Sequence, residues 1–268
     1  STPQGEGGLG LIRISGQRAL TVAREIFQPK KLNPIDHPGF MCFGYLVDPD
    51  KNERLDTGYA CYFKPELSYT REEVVEISLH GSPVILNEAV KLGIKRGARL
   101  ARPGEFTLRA YLHGRLDIVQ AEAINDLIRA MSIDQARISF HQAEGSLSRK
   151  IQKVREEIID VLVNIEASLE FPEEDLGLGQ DEINSRLDNL INNLGKIVRS
   201  YEQGRARLEG LTIALVGKTN TGKSTLFNAL LEEERAIVTP YPGTTRDFIR
   251  ENLLVDGFLL KLVDTAGF

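Results

Sequence analysis

The chain has 268 residues, with 33 Lys and Arg against 38 Asp and Glu, two Cys, no Trp and 41% hydrophobic residues; this balance belongs to globular proteins and excludes the disordered, collagen-like and disulfide-rich classes. At roughly 150 residues per domain the length suggests about two domains. A net charge of −5 repels phosphate over the molecule as a whole, so nucleic-acid binding would need a local basic patch or a partner.

From Leu9 to about Ala110, short β-rich runs (Gly10–Ile14, Thr57–Phe63, Val74–Leu79) mix with helical patterns (Gln17–Ile26, Pro83–Lys95) and turn signals. That texture predicts an α+β domain, assigned to residues 1–112. After Tyr111 no proline occurs until Pro172, and helix-forming residues dominate, which places a boundary near His113 and Gly114. Leu147, Ile151, Val154, Ile158, Val161 and Ile165 recur at steps of 4, 3, 4, 3 and 4, the seam of a long packed helix. Pro172 and Gly177 to Gly179 break it, and Ile183, Leu187, Leu190, Leu194, Ile197 and Tyr201 repeat the pattern. Two antiparallel helices burying these stripes together are expected, within a helical bundle domain at 113–209 that reads as a spacer or dimer surface.

At Gly210 the period changes again. Leu211–Val216 (LTIALV) is a nearly continuous apolar run, as in a buried parallel strand. Phe248–Val255 and Phe258–Val263 read as further strands joined through Asp256 and Gly257, a dipeptide suited to a two-residue hairpin. Residues 210–268 are thus expected to be the first part of an α/β domain that needs well over about 100 residues.

The strongest chemical signal lies between these strands. Gly217–Ser224 (GKTNTGKS) matches G-x-x-x-x-G-K-[ST], with an apolar strand before it and the helix-forming Thr225–Leu231 after it. Glycines let successive N–H groups turn inward around a phosphate, and a helix N-terminus adds partial positive charge. Lys223 then offers a point charge to the β- and γ-phosphates, and the Ser224 hydroxyl is the expected Mg²⁺ ligand. The alternative is a glycine-rich turn that merely links strand to helix. Asp264–Gly267 (DTAG) follows the last strand pattern; there Asp264 can hold magnesium through water and the Gly267 N–H can meet the γ-phosphate. Between the two motifs, Thr239–Asp247 (TPYPGTTRD) reads as a switch loop, or else as an ordinary connection.

With these motifs in place, the chain resembles the MnmE (TrmE) family of tRNA-modifying GTPases. The resemblance rests on Gly7–Gly16, Ser68–Glu76, His80 with Gly81, Ala101–Phe106, Leu116–Ala123, Phe171–Glu174, the P-loop, Pro242–Asp247 and Asp264–Gly267. It implies a multidomain protein: an α+β N-terminal domain binding a tetrahydrofolate derivative and forming a homodimer, an α-helical bundle domain, and a P-loop α/β GTPase domain that is partial here. It also implies a cytoplasmic GTP hydrolase. With an MnmG-type flavoprotein, such a protein adds an aminomethyl or carboxymethylaminomethyl group to the wobble uridine of certain tRNAs, the partner taking most of the tRNA contact. Arg13, Glu76 and Arg115 match positions that contact the folate: basic groups suit its carboxylates and a carboxylate suits a pterin's donor face. Without the resemblance, each would read as a surface charge. Two positions depart from the family pattern, Arg71 where Gly is usual and Ser82 where a second Gly follows His80.

For GTP or GDP the implied contacts are Asn220, Thr221, Gly222, Lys223, Ser224 and Thr225, then Thr239, Pro240, Tyr241, Pro242, Gly243, Thr244 and Thr245, then Asp264, Thr265, Ala266 and Gly267. Ser224 and Thr245 match Mg²⁺ ligands, and Asn220, Thr239, Tyr241 and Thr244 match the ligands of a K⁺ ion. Asn220 could instead simply stabilise the loop turn. The water-positioning acid and the base-reading N-K-x-D segment are expected after Phe268, so no general base is named.

His80, His113 and His141 show no nucleophile at motif spacing, and Glu173, Glu174 and Asp175 read as a solvated turn. Cys42 and Cys61 read as reduced core residues. No apolar run reaches the roughly 18 residues of a membrane span. Two other functions remain open: a ribosome-assembly type GTPase, and a catalytically silent folate-binding dimerisation module.

Overall fold

A computed structural model describes residues 5–170, 179–217, 221–233, 249–255 and 258–264. The chain divides into two compact units, residues 1–118 and 119–268. The second unit holds both the helices and the strands that sequence texture assigns to separate domains. It begins at Val119, after the junction expected near His113 and Gly114.

In the first unit, β1 (Gly7–Ser15), β2 (Phe27–Pro29), β3 (Cys42–Asp48), β4 (Glu53–Phe63) and β5 (Val74–Gly81) form an antiparallel sheet in the order β1-β5-β4-β3-β2. Helices α1 (Ala19–Ile26) and α2 (Pro83–Lys95) bring apolar residues to it at helical spacing. Ile26, Leu46, Ile77, Leu79 and Leu92 are the centre of that core, each at most 2% exposed. The free thiols of Cys42 and Cys61 are buried, and burial pushes both up from their ordinary range. A third helix, α3 (Glu105–Leu112), follows the segment Gly97–Gly104.

Helix α4 (Ile118–Arg129) leads into the second unit, where α5 (Ile133–Ala143) opens with a capping box between Ser132 and Gln135. Helices α6 (Ser146–Glu170) and α7 (Gln180–Glu209) carry the two predicted stripes. They meet through Val154, Val161 and Leu190, flanked by Ile165, Ile183 and Ile197. The expected full seam is not buried in this chain: Ile151, Ile158, Leu187, Leu194 and Tyr201 are all exposed. Two helices cover each other along a single line, and the remainder of each stripe faces away from it.

The three-stranded sheet has the order β6-β8-β7, from β6 (Leu211–Leu215), β7 (Ile249–Val255) and β8 (Phe258–Asp264), with α8 (Lys223–Glu233) between β6 and β7 in the chain. Strands β6 and β8 run parallel, while β7 and β8 run antiparallel with Val255 opposite Phe258, as a two-residue connection requires. β6 is parallel as predicted but largely exposed rather than buried; its cover here is limited to a small cluster around Leu253 and Leu262. Gly210 turns α7 into β6 at φ +75°, and a side chain there would press to 2.5 Å from the Leu259 carbonyl oxygen. Among the described residues no helix is long and apolar enough to cross a membrane, and no group of three or more His, Cys, Asp or Glu could hold a metal ion.

Candidate functional site

Antiparallel pairing sets Arg13 of β1 opposite Glu76 of β5. Arg13 Nε and Nη2 both donate to Glu76 Oε1, at 2.6 and 2.5 Å, and both side chains are about one-quarter exposed. The guanidinium carbon lies 5.5 Å from the ring centre of Phe106 and 6.0 Å from that of Tyr69, within cation–π range. Glu76 does not engage Arg13 Nη1, and Glu76 Oε2 accepts no hydrogen bond from a described residue. A cavity of about 650 Å³ opens beside Arg13, lined among others by Ile12, Glu72, Ala89, Phe106 and Arg109 but not by Glu76.

Charged groups lock α3 against the loop before β5. Arg109 Nη1 donates to both oxygens of Glu72 at 3.0 and 2.8 Å, and Arg109 also reaches Glu105. Glu105 is paired with Arg99 and accepts the Arg102 N–H at 2.8 Å. The Arg99 guanidinium, then the Arg102 amide, hold the Glu105 carboxyl down at about 2. Tyr69 is tied to Thr107 by a 3.0 Å hydroxyl contact, and His113 Nδ1 lies 2.7 Å from the Thr70 carbonyl oxygen.

In the second unit, β6 ends at Leu215 and α8 starts at Lys223. Lys223 Nζ donates to the Gly217 carbonyl oxygen at 2.7 Å, so the lysine side chain folds back over the loop. Gly222 turns the chain at φ +83°, and its carbonyl oxygen accepts the Leu226 N–H at 2.9 Å. The first turn of α8 contains no acidic residue to oppose an anion. Parallel register sets Asp264, the last residue of β8, beside Leu215 at the same end of the sheet as this loop. β6, the described loop residues Gly217, Thr221 and Gly222, and α8 thus follow one another in the order that the motif needs.

A family model described as "MnmE helical domain" matches residues 118–264, and one described as "GTP-binding protein TrmE N-terminus" matches residues 1–115. The chain belongs to the MnmE family. Proteins named tRNA modification GTPase MnmE from Aquifex aeolicus and from Thermoanaerobacter pseudethanolicus are each 44% identical over the whole chain, and one from Koribacter versatilis is 42% identical. The chain spans 59% of the length of each of these relatives.

The structure brings together two of the three folate positions implied by likeness to the MnmE family. Arg13 and Glu76 are in contact, whereas Arg115 is exposed and makes no side-chain hydrogen bond or ion pair among the described residues. Of the two departures from the MnmE pattern, Ser82 has extended backbone that any residue adopts, whereas Arg71 lies at φ +55°. Thr221, Gly222, Lys223 and Thr225 belong to the described P-loop and α8, and the backbones of Ser224 and Asp264 are placed by α8 and β8. Asn220, Thr239, Pro240, Tyr241, Pro242, Gly243, Thr244, Thr245, Thr265, Ala266 and Gly267 lie outside the described residues.

No sequence spacing points to Tyr69, Glu72, Phe106 or Arg109, although all but Arg109 fall within the segments that carry the resemblance. Their significance comes from strand register and from α3, which no local spacing reveals. His80 also has a partner that spacing hides: its Nδ1 lies 2.6 Å from Asp56 Oδ1 across β4 and β5. Burial would raise the Asp56 carboxyl, but the His80 ring, the His80 amide and the Thr57 amide together hold it below the ordinary range.

Proposed function

We propose that the protein hydrolyses GTP and couples this cycle to modification of the wobble uridine of certain tRNAs, together with an MnmG-type flavoprotein. The product would carry an aminomethyl or carboxymethylaminomethyl group whose methylene carbon comes from a tetrahydrofolate derivative. One observation carries the reading: Lys223 at the start of α8 reaches the Gly217 carbonyl oxygen at the end of the sheet where Asp264 closes β8, in a chain that also holds the cross-strand Arg13–Glu76 pair. The relatives' shared name supports it.

Lys223, now 2.7 Å from the Gly217 carbonyl oxygen, would exchange that contact for β- and γ-phosphate oxygens. Ser224 and Thr245 would hold Mg²⁺, with Asp264 behind a water, and the ion would neutralise developing phosphate charge. Asn220, Thr239, Tyr241 and Thr244 would hold K⁺ in the place of an arginine finger, a group worth about 10³ to 10⁵ in rate. The donor set near Arg13 fits a folate: its remaining N–H groups suit carboxylates, and the second Glu76 oxygen suits pterin N–H donors. Arg115 would complete that set from the segment after α3.

Residues 1–112 would form the folate-binding and dimerising domain, 113–209 the helical domain and 210–268 the beginning of the GTPase domain. Homodimerisation is supported by the sheet residues Phe43 and Tyr59, which alternate with the core positions and remain exposed. The net charge of −5 favours a partner that carries most of the tRNA contact in the cytoplasm.

The decisive experiment uses the full-length protein. Lys223→Ala should abolish binding of GTP with magnesium while leaving 5-formyltetrahydrofolate binding intact, and Arg13→Ala should weaken 5-formyltetrahydrofolate binding about tenfold or more, to a still measurable level, while leaving GTP binding intact. Retained GTP affinity in Lys223→Ala, or no saturable folate binding by the wild type, would overturn the reading.

A further inference from the structure

We infer that Tyr69 and Phe106 are positioning residues for Arg13, holding its guanidinium so that one edge faces Glu76 and the other faces the ligand. The inference rests on the reading of Arg13 as a folate contact.

An arginine has five N–H donors in a rigid plane, but its long stem gives that plane many directions. Glu76 fixes only one edge, because Nε and Nη2 converge on the single oxygen Oε1 at 2.6 and 2.5 Å. One-point attachment of this kind leaves the plane free to tilt. The rings of Phe106 and Tyr69, with centres 5.5 and 6.0 Å from the guanidinium carbon, restrict the tilt from two elements of the fold.

Both rings stand on a wall that is itself braced. The Tyr69 hydroxyl meets Thr107 Oγ1 at 3.0 Å, joining the loop to the residue after Phe106. Thr70 is fully buried, with its hydroxyl 2.7 Å from that of Ser15, and Ser15 also donates to Glu72 at 2.9 Å. Glu72 receives both contacts from Arg109. The loop that carries Tyr69, α3 and the end of β1 are therefore connected to one another by hydrogen bonds. Rotamer freedom that a mobile arginine would lose on binding is here lost on folding, which favours a bound anion.

The test is titration of the full-length protein with 5-formyltetrahydrofolate, using variants that keep the wild-type melting profile. Phe106→Leu should weaken binding by about tenfold, whereas Phe106→Tyr, which retains a ring, should stay within about twofold of wild type. In an Arg13→Gln background, where no cation faces the rings, Phe106→Leu should cause no additional loss. If Phe106→Leu does not fold, Tyr69→Leu replaces it, with an expected loss of about threefold that likewise vanishes beside Arg13→Gln. Wild-type affinity in the ring variant overturns the inference, and so does an equal loss in both backgrounds, which would mean that the ring acts by another route. If Arg13→Gln alone binds like wild type, the folate role of Arg13 fails first and the inference fails with it.

Discussion

At Arg71 the backbone takes φ +55°, a left-handed conformation that costs an L-residue with an ordinary side chain about 1–2 kcal/mol. Asn52 shares that region at φ +53°, but asparagine tolerates it through local hydrogen bonding. Among the described residues, Arg71 gains only an exposed bond from Nη1 to the His113 carbonyl oxygen at 3.3 Å. A glycine would avoid the steric cost. Arg71→Gly should therefore be more stable than Arg71→Ala by about 1 kcal/mol in urea melts followed by circular dichroism, since both lose the side-chain bond and only Ala retains the clash. An Ala variant as stable as the Gly variant would show that the position is not held left-handed.

At the level of elements, α3 is fastened at its first turn by Glu105, whose carboxyl Arg99 and the Arg102 amide lower from 4.5 to about 2. A lowered folded-state value adds stability that is present above the unfolded value and is lost as pH falls through the folded one. Melting of the first unit should thus weaken between about pH 4.5 and 2. Glu105→Gln should lower the midpoint at neutral pH, and its curve should converge with the wild type toward the acid end of that window. A gap that stays constant across the window would remove Glu105 from the network.

The same elements show how much could be read in advance. β1, β4, β5, α1 and α2 announce themselves by period, and the P-loop by a motif with strand and helix on either side. β3 escapes because both of its faces are apolar, with Cys42 and Leu46 inward and Phe43 and Tyr45 on alternate positions, so period two disappears. β2 is three residues long and follows α1 with no turn between them. The Arg13–Glu76 pair joins residues 63 apart; only the β1–β5 register brings them together, and the ring clamp depends in addition on where α3 docks. The stripes of α6 and α7 predict helices correctly but overstate burial, because a period marks an apolar face without identifying what covers it.

For the whole molecule, the division into residues 1–118 and 119–268 places the proposed folate positions in one unit and the P-loop in the other. Ligands that bind only folded protein stabilise the unit that holds their site, by about 2.7 kcal/mol at a hundredfold excess over Kd. Calorimetry should therefore resolve two transitions with separate ligand responses. 5-Formyltetrahydrofolate should raise only the transition of residues 1–118, by on the order of 10 °C at that excess, and GTP with magnesium only that of 119–268. Lys223→Ala should cancel the second response and spare the first. A single transition raised by either ligand would mean that the two units unfold as one, and a GTP response surviving Lys223→Ala would remove the loop at Gly217 from nucleotide binding.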